Sequence, residues 1–242
     1  PLLEKNNFLP DFKKIPVEAR QKSKVIFLNY PNNPTGATAD AGFYRKAIDF
    51  ASKYNIIIAH DAAYSEIAYD GYRPMSFLEV EGAKDTGVEF HSLSKTYNMT
   101  GWRIGWVCGN AQVVSGIAKV KSNIDSGIFS AIQIAGVEAL SGPQEHIQKM
   151  RAIYQERRDV LCAGLKSIGW NFLKSEATFY VWVSVPKGYD SRGFAALLLE
   201  KCDIVVTPGV GFGKYGEGYI RFALTVAKER IIEAVERIRK RL

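Results

Sequence analysis

A mainly parallel α/β sheet covered by helices on both faces, followed by a smaller α+β unit, is the fold class that this 242-residue sequence predicts. Short, almost continuously apolar runs rich in β-branched residues recur through the first half, each stopped by turn-forming residues. Stretches of helical spacing alternate with them, which is how strands buried on both faces read. From about Pro143 a long charged helical stretch intervenes, and short strands and helices then follow in a different rhythm. The division this suggests is 1–143 and 144–242.

In chain order, the first twenty residues read as a lead-in loop. Val25–Tyr30 (VIFLNY) is a buried strand halted by a Pro/Asn/Gly cluster. Asp40–Tyr54 has helical spacing with an acidic start, and Ile56–His60 (IIIAH) is a second buried strand. Glu89–Ser94 and Ile104–Gly109 repeat the strand pattern, with Ala111–Lys121 as the next helix. Pro143–Ile168 is a long helix suited to connecting two units. Ala177–Val185, Ile204–Thr207 and Tyr219–Thr225 are strands, and Ser191–Lys201 and Lys228–Leu242 are helices.

The 32 Lys and Arg against 25 Asp and Glu give a net charge of +7, which would serve a nucleic-acid binder. The positive residues are instead scattered beside acidic ones, and the densest group, ERIRKRL, closes a helix, where cations are favourable. A nucleic-acid partner is not expected; anionic substrates or a phosphate-bearing cofactor would use the same field. No apolar run approaches the ~18 residues of a membrane span. Cys108, Cys162 and Cys202 are odd in number and far apart, which fits a reducing, cytoplasmic setting rather than a disulfide framework. The three histidines are scattered too, so no metal site is expected, and His60 and His91 read as hydrogen-bonded core residues.

Three groups of polar residues fall at the C-terminal ends of successive predicted strands, where open α/β sheets place their ligands. They are Asn32-Asn33-Pro34-Thr35-Gly36, Asp61-Ala62-Ala63-Tyr64, and Ser92-Leu93-Ser94-Lys95 with Arg103 eight residues on. Each alone has a plain explanation: a turn, a helix cap, a solvated lysine. Three together on consecutive strands suggest one chemistry. An enzyme using pyridoxal phosphate needs a lysine to hold the cofactor and move a proton, and a carboxylate against the pyridine nitrogen. It also uses donors at the ring hydroxyl and cationic and hydroxyl groups at the phosphate.

NNPTG, DAAYSEI and SLSKTYNMTGWRIG resemble the signature set of the class I/II aminotransferases, the fold-type I pyridoxal-phosphate enzymes, and the resemblance runs over essentially the whole chain. It implies that Lys95 is the Schiff-base lysine and Asp61 the partner of the pyridine nitrogen. It implies further that Asn33 and Tyr64 bond the ring hydroxyl and that Ser92 and Arg103 hold the phosphate. Arg221, in YIRFALT, matches the arginine that takes the substrate α-carboxylate, a task suited to a two-pronged guanidinium. Finer wording, such as LNYPNNPTGA, HDAAYSEIAYDGYRPMSFLEV and EFHSLSKTYNMTGWRIGW, is similar to the bacterial LL-diaminopimelate aminotransferases. Those enzymes exchange an amino group between LL-diaminopimelate and 2-oxoglutarate, and the resemblance implies a homodimer for the complete protein. Aspartate or another amino acid as donor, a cystathionine β-lyase-like enzyme, and a non-catalytic regulatory module share the frame. No helix-turn-helix or basic arm supports the last.

Enzymes of this kind carry a further segment ahead of the strand that leads into NNPTG. The chain is therefore expected to be the C-terminal part of one, and alone to be poorly soluble or oligomeric with little or no activity, since a sheet without its neighbours exposes apolar edges. Gly211-Phe212-Gly213-Lys214-Tyr215-Gly216 fits G-x-G-x-x-G, but Pro208 precedes it and a strand follows, so a flexible loop near Arg221 is expected rather than a dinucleotide site. Phe179, Tyr180 and Trp182 read as packing on a sheet.

Overall fold

The computed structural model describes residues 1–242. One sheet contains β1 (Val25–Asn29), β2 (Ile57–Asp61), β3 (Gly87–Ser92) and β4 (Gly105–Gly109), in that order. β1, β2 and β3 run parallel, as the sequence predicts, whereas β4 is antiparallel to β3. The twelve residues between β3 and β4 explain the reversal. They form only the one-turn helix α4 (Leu93–Thr96) and a 3-10 turn at Thr100–Trp102, too little for a crossover, so the chain doubles back.

Before β1 lies the short helix α1 (Val17–Lys22), and between β1 and β2 runs α2 (Ala41–Tyr54). Asp40 starts α2 by accepting from the Phe43 amide at 2.7 Å, and Asn55 ends it in the left-handed region at φ 52°. Phe43, Tyr44, Ala47, Ile48 and Ala51, at helical spacing, form its buried stripe and pack with Leu28 and Ile58 of the sheet. The small helix α3 (Ala83–Thr86) precedes β3 and α5 (Ala111–Ser122) follows β4. On the edge strand β1, Val25 and Phe27 stand exposed, Phe27 at 79%. The helix α6 (Ser130–Ser141) likewise exposes Ile134, Val137 and Leu140.

Between β2 and β3, on the sheet face shared by alternate residues, His60 (0% exposed) sits opposite Glu89 (1%). The Glu89 carboxylate accepts from four donors: His60 Nδ1 at 2.9 Å, His91 Nε2 at 2.8 Å, Ser76 Oγ at 2.7 Å and the Phe77 amide at 2.8 Å. Tyr44 closes the group, its hydroxyl 3.1 Å from His60 Nε2. His60 is thus the hydrogen-bonded core residue that its apolar run predicts, whereas His91, hydrogen-bonded too, is 19% exposed. Burial alone would raise the Glu89 carboxyl, but the hydrogen bonds from His60, His91 and Ser76 outweigh it and hold the group far below the usual carboxylate range. A carboxyl depressed on folding contributes stability that is complete above its unfolded pKa and is lost as pH falls through the folded value. Glu89→Gln is therefore expected to cost ~3–5 kcal/mol at neutral pH and less at about pH 3, where part of that stability is already gone. Urea unfolding at both pH values checks this; an equal loss at both contradicts a charged Glu89.

The chain then continues through α7 (Glu145–Ser167) to an antiparallel sheet of β5 (Tyr180–Ser184), β6 (Thr207–Pro208) and β7 (Tyr219–Ala223), with β7 in the middle. The helices α8 (Ser191–Cys202) and α9 (Lys228–Arg241) cover it. Leu161, Leu165, Phe194, Leu198, Ile231 and Val235 from the three helices pack against Val181 and Val183. Tyr64, Ile67 and Tyr69, from the loop after β2, enter this same core. Arg158 of α7, fully buried, secures that loop. Its guanidinium donates to both Asp70 oxygens at 2.8 and 2.9 Å and to the Ser175 carbonyl at 2.9 Å, and it lies 4.7 Å from the Tyr69 ring centre. The two cores are thereby joined through the segment that carries Tyr64.

Candidate active site

The polar ends of β1, β2 and β3 lie side by side because the register pairs Asn29 with Asp61 and Asp61 with Phe90. Asn29 ties two of them together: its Nδ2 donates to the Asp61 carbonyl at 2.9 Å and its Oδ1 accepts from the Asn33 amide at 2.9 Å. Asp61, the last residue of β2, is exposed, and its Oδ1 accepts from the Ala63 amide at 3.2 Å. Ser92 ends β3 and caps α4, its Oγ accepting from the Ser94 amide at 3.1 Å, and Lys95 stands half-buried on that turn. Lys95 is thus on a helical turn.

From Lys95 a run of contacts leads to Arg221. The Lys95 ammonium is 5.5 Å from the Phe179 ring centre, and Phe179 meets Tyr64 edge-on at 5.4 Å. Tyr64 meets Tyr180 at 5.9 Å, and Tyr180 lies flat under the Arg221 guanidinium at 3.9 Å. Arg221 Nη1 donates to Asn33 Oδ1 at 2.6 Å, and Nη2 donates to Thr207 Oγ1 at 3.3 Å. Burial pushes the Tyr64 phenol well above its ordinary value, with Tyr180 beside it adding to the rise, Arg221 opposing it and Asp61 adding a little. Lys95, Asp61, Tyr64, Asn33 and Arg221 therefore share one locality. Arg103 stands apart from that run of contacts. It occupies the left-handed region at φ 55°, just before β4, where Leu93 bonds Ile104, but its exposed guanidinium turns back to the Thr100 carbonyl at 2.9 Å.

The donor set can be tested against pyridoxal phosphate on its unused valences. None of Lys95, Asp61, Arg103 and Arg221 forms an ion pair. Arg221 Nε is buried with no acceptor, a cost that a bound anion would relieve. Asn33 accepts through Oδ1, which leaves its Nδ2 free to donate to a ring hydroxyl. An amine, a carboxylate, an amide, a phenol, a hydroxyl and guanidinium groups, all with spare hydrogen-bonding capacity, fit the group.

Thr207 and Tyr180 belong to this site and are not found from sequence, and Phe212 lies in the loop that the sequence places near Arg221. Strand alternation holds the signal for Tyr180: β5 and β7 pair Trp182 with Arg221, so Tyr180, two residues away, shares the arginine's face. Reading Phe179, Tyr180 and Trp182 as sheet packing holds for the buried Trp182 but not for Tyr180, which carries the guanidinium. The 211–216 segment lies against Arg221, with Phe212 4.8 Å from its guanidinium carbon, and forms two 3-10 turns rather than a dinucleotide loop.

Comparison with known proteins defines the class. The family described as aminotransferase class I and II matches residues 1–238, and the chain belongs to it. Its members are pyridoxal-phosphate enzymes. The chain is similar to the LL-diaminopimelate aminotransferases of Moorella thermoacetica (56% identity) and Halothermothrix orenii (57%), in each case over 99% of this chain. It spans about three fifths of their length, 62% and 61%. Among solved structures, substrate-bound BacF from Bacillus subtilis superposes with TM-score 0.94 at 43% identity, over 99% of this chain and 61% of that one. The aromatic aminotransferase of Pyrococcus horikoshii gives TM-score 0.92 at 28% identity, over 99% and 65%. The fold-type I architecture read from the sequence is the one these structures have. No helix is long and apolar enough to cross a membrane.

Proposed function

We propose that the complete polypeptide is a pyridoxal-phosphate aminotransferase that moves an amino group between LL-diaminopimelate and 2-oxoglutarate, as in lysine biosynthesis. The observation that carries the reading is the Arg221 guanidinium, half-buried, without a carboxylate partner, and joined through Asn33 and Tyr180 to the locality of Lys95 and Asp61. The names of the relatives above support the choice of donor. The resemblance also supports reading 1–143 as part of a large cofactor-binding domain, 144–242 as a small domain, and the complete protein as a cytoplasmic homodimer.

When bound, pyridoxal phosphate supplies an electron sink for the charge left on the substrate α-carbon after proton loss. The chain's residues do the rest. The Lys95 amine holds the cofactor covalently and moves the proton at the α-carbon. The Asp61 carboxylate keeps a proton on the pyridine nitrogen. Asn33 Nδ2 and the Tyr64 hydroxyl hold the ring oxygen, and Ser92 and Arg103 hold the phosphate. Arg221 takes the α-carboxylate of either substrate with two parallel hydrogen bonds.

Glutamate formation from LL-diaminopimelate, dependent on 2-oxoglutarate, tests the activity. Release of ammonia and pyruvate without an oxo acid is the result of a lyase-like enzyme instead. In the same assay Arg221→Lys keeps the charge and loses the fork. It is expected to raise KM for both substrates by about ten-fold or more, with the cofactor retained. An effect on one substrate only would make Arg221 a reader of a distal group.

A further inference from the structure

Two aromatic rings stand close to the Arg221 guanidinium carbon, with the ring centre of Tyr180 at 3.9 Å and that of Phe212 at 4.8 Å. Tyr180 comes from a regular strand; Phe212 comes from a loop whose course is unusually constrained. Gly209 and Gly216 cross so closely that a Cβ on either would collide with the other's carbonyl oxygen, and Gly213, next to Phe212, sits at φ +104°. The loop is tied further to α8. Glu217 accepts from the Ser191 amide at 2.7 Å, and the Val210 amide donates to Ser191 Oγ at 3.4 Å. The Phe212 ring also meets Trp182 edge-on at 5.8 Å and lines a cavity of about 160 Å3 with Pro34, Thr35, Lys214 and Tyr215.

We propose that Phe212 is a positioning residue for substrate carboxylates, its ring face fixing the Arg221 guanidinium against Tyr180 and shielding it from that cavity. A guanidinium held by two neutral oxygens, Asn33 Oδ1 and Thr207 Oγ1, has its reach set but is free to tilt. Contact with two rings narrows that freedom, and cation–π attraction strengthens when water is excluded. Without the ring, the cavity opens onto the guanidinium, water competes for its hydrogens, and fewer of its orientations suit a carboxylate. The glycine crossing places the ring, and Phe212 supplies the face. This rests on the reading of Arg221 as the carboxylate-binding arginine.

The test uses the holoenzyme and the variants Phe212→Ala, Phe212→Leu and Phe212→Tyr, with Arg221→Lys beside them. Binding is read by calorimetric titration with glutarate, which has carboxylates but no amino or oxo group to react. KM and kcat are measured for LL-diaminopimelate and 2-oxoglutarate. Alanine and leucine are both expected to weaken glutarate binding and raise both KM values by about ten-fold, with kcat within about two-fold and the cofactor spectrum and Tm unchanged. Tyrosine restores them. Leucine behaving like phenylalanine, or alanine leaving glutarate affinity unchanged, overturns the role of the ring. If Arg221→Lys weakens glutarate binding while the Phe212 variants do not, this inference alone fails. If Arg221→Lys leaves it unchanged, the assignment of Arg221 fails and this inference with it.

Discussion

Lys95→Ala is expected to lower amino transfer by on the order of 10⁴-fold or more, ~5.5 kcal/mol in the barrier, because one residue performs two tasks. In the proposed function it would anchor the cofactor and carry the proton at the substrate α-carbon. Lys95 makes no ion pair or side-chain hydrogen bond, is half-buried, and has the Phe179 ring as its near neighbour. Its removal therefore deletes chemistry without breaking a structural bond, and Tm should be almost unmoved. Turnover within ten-fold of wild type at saturating substrates would show that another amine does the work.

The second large effect belongs to Asp61. Asp61→Ala is expected to keep the cofactor bound but to slow proton removal by on the order of 10³-fold, ~4 kcal/mol, since nothing then holds a proton on the pyridine nitrogen. Asp61 also accepts from the Ala63 amide, so loss of that turn bond has to be separated from loss of charge. Asp61→Asn preserves the acceptor and removes the charge. If the asparagine variant is as slow as alanine, the charge is responsible; near-normal turnover of the asparagine variant would assign Asp61 to holding the turn.

Why these residues could be read from sequence, and others could not, follows from how each is held. Asn33, Asp61 and Lys95 lie within a few residues of a strand end, so apolar runs locate them without any knowledge of long-range contacts. Thr207 reaches Arg221 from another strand, and only the β6–β7 pairing brings it there; the loop of Phe212 is expected near Arg221, but its tight course depends on the Gly209–Gly216 crossing. The His60–Glu89–His91 group is half legible. Period two puts Glu89 and His91 on one face, but meeting His60 requires the β2–β3 register. The helix α6, SAIQIAGVEALS, was not expected because it is apolar on several sides, has a single charge and lacks a side-chain cap, so it offers neither stripe nor start signal. The direction of β4 was hidden for a different reason. An apolar run reads the same in either direction, and only the shortness of the connection from β3 betrays the turn back.

Borohydride reduction of the holoenzyme followed by peptide mapping shows whether the cluster is built around Lys95. A stable pyridoxyl group is expected on the peptide containing SLSK, at Lys95, and none on the Lys95→Ala protein. A pyridoxyl group on a different lysine, with Lys95 unmodified in the same digest, would contradict it.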